Sequence, residues 1–255
     1  LWGTLVGYMI QSAWLLWLAS RADNVGVKPR LGFQSPYWPQ LVAAAGIMLV
    51  GQVAMSIVGP LDQYTAAELG RNANATLGYA NRILALLLGL GAVSVGRAAL
   101  PVLSDIHSRG DAAQGRRMAL KWSVLMLGVG MAAAVVGWLL APWGVSLLFE
   151  RGAFTAQDTL RVAGVFRWGL LQMPFYFGVL VLVQLLASQN RYRIMAVIAL
   201  GNFALKALLN PILGSAMGLQ GVMLATACMY ALSYGCYVFA ALKSVASEAP
   251  SGPAQ

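Results

Sequence analysis

Charge is scarce in this sequence. Its 17 Lys and Arg and 8 Asp and Glu make 10% of 255 residues. Soluble domains average about 25%, so the shortage excludes a surface mostly facing water. Histidine occurs once, at His107, which excludes a His-rich metal centre. Only two cysteines occur, Cys228 and Cys236, both in one apolar run. Eight residues apart on a helix, they stand more than about 10 Å from each other and cannot pair. Buried free thiols are expected. An initiator Met and a basic leader are also missing from the opening LWGTLVGYMI. It reads as neither a signal peptide nor a natural start, and Leu1 is expected to be a cut inside a longer protein or the first ordered residue. The ending SEAPSGPAQ has no large apolar residue, so a disordered tail is expected over 244–255.

What is present is hydrocarbon: 59% of residues are hydrophobic and the mean hydropathy is +0.70. Seven apolar runs read as helical spans, at 1–19, 40–69, 77–103, 118–141, 163–187, 193–214 and 218–242. Each approaches or exceeds the roughly 20 residues that cross a bilayer core. The fold class is therefore an all-α, polytopic membrane protein. Small residues such as those of GVGMAAAVVG (128–137) let such helices pack closely. The net charge of +9 would suggest nucleic acid for a soluble protein, but the cations fall between the apolar runs. No nucleic-acid partner is expected.

Those cations alternate in number from loop to loop. Arg21, Lys28, Arg30, Arg109, Arg116, Arg117, Lys121, Arg191, Arg193 and Lys243 share one side. Arg71, Arg151, Arg161 and Arg167 share the other. The positive-inside rule puts the richer side in the cytoplasm. Residue 1 is then extracytoplasmic and the C-terminus cytoplasmic.

Polar residues inside the spans are expensive and normally face a bundle interior or a water-filled cavity. Arg82 in YANRIL suits a cavity cation for an anionic headgroup, or it snorkels outward or pairs with Asp62. Asp62 follows Pro60, which removes a helix hydrogen bond. It is either an acid beside a cavity or the solvated end of a span. Lys206, with Asn202 one turn before and Asn210 one turn after, forms an i, i+4, i+8 stripe. That stripe reads as a cavity wall or as an interhelical hydrogen-bond network. Arg97 is expected to snorkel to the headgroups, and Gln52, Gln172 and Gln184 to line a cavity or bond across helices. GLGAVSVG (89–96) lacks the strand–turn–helix setting of a phosphate loop.

LLFERGAFTAQDT (147–159) carries charge between two spans on the extracytoplasmic side. A short amphipathic helix from Trp143, a break at Gly152 and a new helix capped by Thr155 are expected, with Asp158 completing a capping box. Its charged residues, without His or Cys, make no catalytic set.

YANRIL (79–84), AALPVLSD (98–105), RGDAAQGRR (109–117) and LLFERGAFTAQDT together resemble the MurJ/MviN family of lipid II flippases, of the multidrug/oligosaccharidyl-lipid/polysaccharide superfamily. Family members show a similar YANRL or YADRL, an L-P-x-L after the same helix and L-F-x-x-G-x-F beyond it. The resemblance covers nearly the whole chain except the tail. It implies two six-helix lobes around a central cavity. The chain would supply the last helix of the first lobe (1–19), a cytoplasmic linker (20–39) and the second lobe (40–243). Arg82 is implied to contact a lipid-linked diphosphate, with Asp62 and Asn81 beside it. Lys206 and Asn202 join this substrate-binding set on the physical argument alone. Where the family has R-T-P, this chain has Arg193-Ile194-Met195; where F-Y-A, Leu186-Ala187-Ser188; where a Pro, Leu87. These departures mark a divergent member.

The implied activity is flipping of lipid II, an undecaprenyl-diphosphate-linked saccharide, from the cytoplasmic to the outer leaflet of the bacterial inner membrane. Basic residues in a cavity would offset desolvation of the diphosphate, and rocking lobes would give alternating access. No cofactor, metal or enzymatic role is expected. The implied partners are the lipid-linked substrate, membrane lipids, the N-terminal lobe missing from this sequence and cell-wall synthesis proteins. Three alternatives remain. One is a flippase for another polyprenyl-linked glycan, or a related exporter of the superfamily. Another is a non-transporting membrane scaffold. The third, a membrane glycosyl- or acyltransferase, has only Asp105 and His107 as a close pair.

Overall fold

A computed structural model describes residues 2–22, 38–108, 112–152, 154–189 and 191–243. Among the described residues it contains eight helices and no strand. They are α1 (Trp2–Ala22), α2 (Trp38–Glu68), α3 (Ala73–Ser108), α4 (Ala112–Phe149), α5 (Ala156–Leu170), α6 (Met173–Ser188), α7 (Tyr192–Met217) and α8 (Leu219–Lys243). The expected tail, most of the expected linker, and Arg109 lie outside the described residues, as does the side chain of Arg97. So do the side chains of Asp105 and His107.

By length and hydropathy, α2, α3, α4, α7 and α8 can each cross a membrane, and the count rises to six if the bent pair α5–α6 is one span. α1 is helical over the expected first span but falls outside this set. Tyr8, Gln11 and Ser12 dilute its apolar run.

The chain divides into two compact units, Leu1–Val42 and Ala43–Gln255. In the first, Trp14 and Trp17 lie 5.2 Å apart and the Arg21 guanidinium sits 4.7 Å from the Trp17 ring. Tryptophan and arginine at a helix end suit a membrane–water boundary.

In the second unit, α6 is the central helix: nine of its 16 residues are buried. It packs on α3, α4 and α8. One apolar cluster is built mainly from α3, α4, α5 and α6, with Ala66 of α2 and Met223 of α8, and another joins α4, α6, α7 and α8. The outer faces keep Leu86, Leu90, Val124, Leu139 and Phe239 exposed. Around membrane-spanning helices such a face meets hydrocarbon and needs no cover.

Two expectations fail here. The span expected at 163–187 is two helices bent by 41°. Pro174 lacks the N–H that would continue the helix, and Leu171 and Gln172 donate instead to Trp168 and Gly169 three residues back. The buried Gln172 side chain also donates to the Gly169 carbonyl, at 2.8 Å. The break lies tight against α4, because a Cβ on Gly130 would stand 2.7 Å from Pro174 Cα. Nor is there a separate amphipathic helix after 141. α4 runs unbroken through Pro142 to Phe149, with Val145 buried while Trp143 and Leu147 point outward.

The rest of that loop is as expected. Gly152 has φ +65°, a left-handed turn that glycine adopts without strain. Thr155 caps α5, and Asp158 answers it in a reciprocal capping box. The cysteines are free, though half-buried rather than buried.

Candidate functional site

The stripe on α7 sets the site. Ile198, Asn202, Lys206, Asn210 and Gly214 recur every four residues, and all are buried. Four residues on a helix advance about 400°, so each side chain stands almost above the last. Three polar members of such a row need partners from neighbouring helices.

Lys206 finds three. Its side chain is 0% exposed, and Nζ lies 2.9 Å from Asp62 Oδ1 on α2. Nζ also donates to the Val222 carbonyl at 2.9 Å and to Thr226 Oγ1, both on α8. An ammonium has three protons, and this arrangement gives each an acceptor. Asn210 Nδ2 donates to the same Asp62 oxygen at 2.8 Å and, more weakly, to Thr65 Oγ1 at 3.5 Å. One turn the other way, Asn202 Nδ2 donates to Ser233 Oγ on α8 at 3.0 Å. The result is one polar node joining α2, α7 and α8. The Oδ1 atoms of Asn202 and Asn210 are buried without a donor among the described residues.

A charge in this position is tolerated only when paired. Asp62 is 14% exposed, so both partners are largely out of solvent. The geometry makes the pair a tether between helices, and the interhelical network is what the Lys206 stripe forms in this conformation.

Asn81 and Arg82 are placed differently. Both are exposed on α3. Arg82 pairs with no acid among the described residues, and its guanidinium sits 5.6 Å from the Tyr79 ring. Tyr79 in turn meets Phe149 at 4.9 Å and Phe154 at 5.1 Å, both edge-on. The YANRIL segment and the LLFERGAF segment therefore pack against each other. Between them lies a cavity of about 440 Å³ whose walls include Tyr79, Phe149, Arg151 and Asp158. Arg151 Nη2 donates to the Leu148 carbonyl at 2.8 Å, and Thr159 Oγ1 to Glu150 at 3.0 Å.

Of the five residues singled out in the sequence, the structure joins Asp62 and Lys206 directly. Asn202 shares the α7 face of Lys206 and makes its own bond, to Ser233. Asn81 and Arg82 belong to none of these contacts. Sequence reasoning missed Thr65, Val222, Thr226 and Ser233. Thr65 was accessible, three residues after Asp62 and on the same face. The Val222 contribution is a backbone carbonyl, which no sequence pattern marks. Gln172 is buried, Gln184 half-buried and Gln52 exposed. No group of three or more His, Cys, Asp or Glu among the described residues could hold a metal ion.

Long apolar helices, a bent helix pair and a buried charged node between helices define a multi-pass helical membrane protein. The sequence model of the family described as Lipid II flippase MurJ matches residues 1–252, and the chain belongs to that family. It is a family of transporters, not of enzymes. The probable lipid II flippase MurJ of Bdellovibrio bacteriovorus is 32% identical over 227 residues, covering 88% of this chain and 42% of the relative. That of Rhizobium tropici is 28% identical over 242 residues, covering 89% and 42%. The chain thus spans about two fifths of the length of these relatives. A solved lipid II flippase MurJ in an inward closed conformation superposes with a TM-score of 0.70 at 22% identity, covering 84% of this chain and 46% of that one. A MOP superfamily transporter from Pyrococcus furiosus gives 0.65 at 14% identity, covering 78% and 43%. These two likenesses concern the fold alone.

Proposed function

We propose that this chain forms part of a flippase that moves lipid II from the cytoplasmic to the outer leaflet of the bacterial inner membrane. Membership of the MurJ family across residues 1–252 carries the reading. In it, 1–19 is the last helix of a first lobe, 20–39 a cytoplasmic linker, and 40–243 a second lobe. Residue 1 is extracytoplasmic and the C-terminus cytoplasmic. Alternating access comes from rocking of this lobe against the first, around a basic cavity.

Two observations support a division of labour in the lobe. Arg82 is exposed and pairs with no acid among the described residues, so its charge is available to a diphosphate. Asp62 and Lys206 neutralise each other, so they hold α2, α7 and α8 together. An anionic headgroup is attracted by the first arrangement and not by the second.

The test is Arg82→Ala in the full-length protein, in cells depleted of their own flippase. Growth rescue and the outward exposure of lipid II are read, with membrane abundance as control. Loss of rescue at normal abundance, partly restored by Arg82→Lys, is expected. Full flipping by Arg82→Ala would remove Arg82 from the substrate path. If wild-type protein fails to rescue while another polyprenyl-linked glycan requires it for export, the substrate is that glycan.

A further inference from the structure

The α7–α8 hairpin closes at Gly218 and opens at its far end, where Arg191 precedes α7 and Lys243 ends α8. Between the helices at that open end lies a cleft of about 530 Å³. Its walls are apolar and include Ile198, Leu232 and Phe239, and Arg191 and Lys243 are the charged residues that line it. Leu232 and Phe239 are largely exposed, so the cleft faces outward, away from the core. At Gly235 a Cβ would meet nothing within 4 Å, so space remains there for an occupant.

Both helices are long and apolar enough to cross a membrane. Where the hairpin crosses a bilayer, the outward mouth of this cleft meets lipid. A long apolar slot in that medium fits an acyl chain. Two cations at the ends of spans lie near headgroup level, where phosphates are. Arg191 Nη1 donates to the Ala240 carbonyl at 3.0 Å, which fixes the guanidinium beside α8 while its other N–H groups remain to bind an anion. Lys243 Nζ stands 5.8 Å from the Phe239 ring, over the same wall. A zwitterionic headgroup would bring its own cation to this pair; a net anionic one would not.

We propose that this cleft binds an anionic glycerophospholipid of the surrounding bilayer, with an acyl chain between α7 and α8 and its phosphate against Arg191 and Lys243. The site rests on the membrane setting of the helices and does not depend on the transported substrate.

The experiment is native mass spectrometry of the delipidated full-length protein, titrated separately with phosphatidylglycerol, phosphatidylcholine and undecaprenyl phosphate. Phosphatidylglycerol is expected to be retained over phosphatidylcholine. Lys243→Gln, at an exposed position, should weaken its retention about fivefold. Gly235→Leu, which fills the open space, should abolish retention without lowering thermal stability of the lipid-free protein. Equal retention of the two phospholipids would overturn the proposal. So would retention that neither variant alters, as when other segments of the protein cover the cleft. Preferential retention of undecaprenyl phosphate would also overturn it, by giving the cleft to a polyprenyl chain.

Discussion

Lys206 and Arg82 show two fates for a cation in a membrane helix. Lys206 has given up solvent entirely and holds three protein acceptors. Removing its charge by Lys206→Met leaves Asp62 buried with only the Asn210 amide. Breaking one side of a buried pair costs about 3–5 kcal/mol. Lys206→Met and Asp62→Asn should each lower the thermal stability of the purified protein by that order. The double variant should lose clearly less than the sum, because neither charge is then stranded. Additive losses would mean that the two residues do not act as a unit. Arg82→Ala, at an exposed site, should change stability by no more than about 0.5 kcal/mol. At this scale the sequence was informative about one face and mute about its neighbours. The spacing of Asn202, Lys206 and Asn210 is local and readable. That Asp62 would meet Lys206 across 144 positions depends on which helices become neighbours, and a Thr or a backbone carbonyl on α8 carries no mark of that role.

Among the elements, the break between α5 and α6 is the least legible feature and the loop before α5 the most. Thr155, Asp158 and Gly152 act through bonds within a few residues, so the cap and the turn could be read directly. The break sits in a run whose hydropathy continues past it, and Pro174 alone did not distinguish a kink from a straight span. The packing against Gly130 makes the difference. A Cβ there would meet Pro174 Cα at 2.7 Å and Met173 O at 2.8 Å, both backbone atoms that cannot rotate away. Gly130→Ala is therefore expected to destabilise by about 1–3 kcal/mol. Gly128, one half-turn away on α4, has nothing within 4 Å of its Cβ position. Gly128→Ala should be neutral or stabilise by up to about 1 kcal/mol, through helix propensity. Thermal unfolding of the two variants side by side checks the assignment, since a general intolerance of α4 to alanine would move both the same way. Thr155→Ala should cost about 1 kcal/mol and speed amide exchange in the first turn of α5.

For the whole molecule, the distribution of cations predicts an orientation that helix geometry alone leaves free. Counting α5 and α6 as one span, the ends of α3 to α8 alternate, so Arg116, Arg117, Arg191, Arg193 and Lys243 gather at one end of the bundle. Arg71, Arg151 and Arg161 gather at the other. This bias is legible in the sequence because it is a property of loops, whereas the lobe's internal packing is not. The positive-inside rule predicts that the richer end lies in the cytoplasm. The free Cys228 and Cys236 can be replaced by Ala, giving a background for single reporter cysteines. Gln157, exposed in the first turn of α5, and Arg117, exposed near the start of α4, lie at opposite ends of the bundle. Gln157→Cys should react with a membrane-impermeant maleimide in cells whose inner membrane is intact. Arg117→Cys should react only after that membrane is opened. The reverse pattern would turn the lobe over and place the Arg191 and Lys243 cleft in the outer leaflet. Equal labelling of both before permeabilisation would show that the α4 span does not cross, and the six-span count would fail with it.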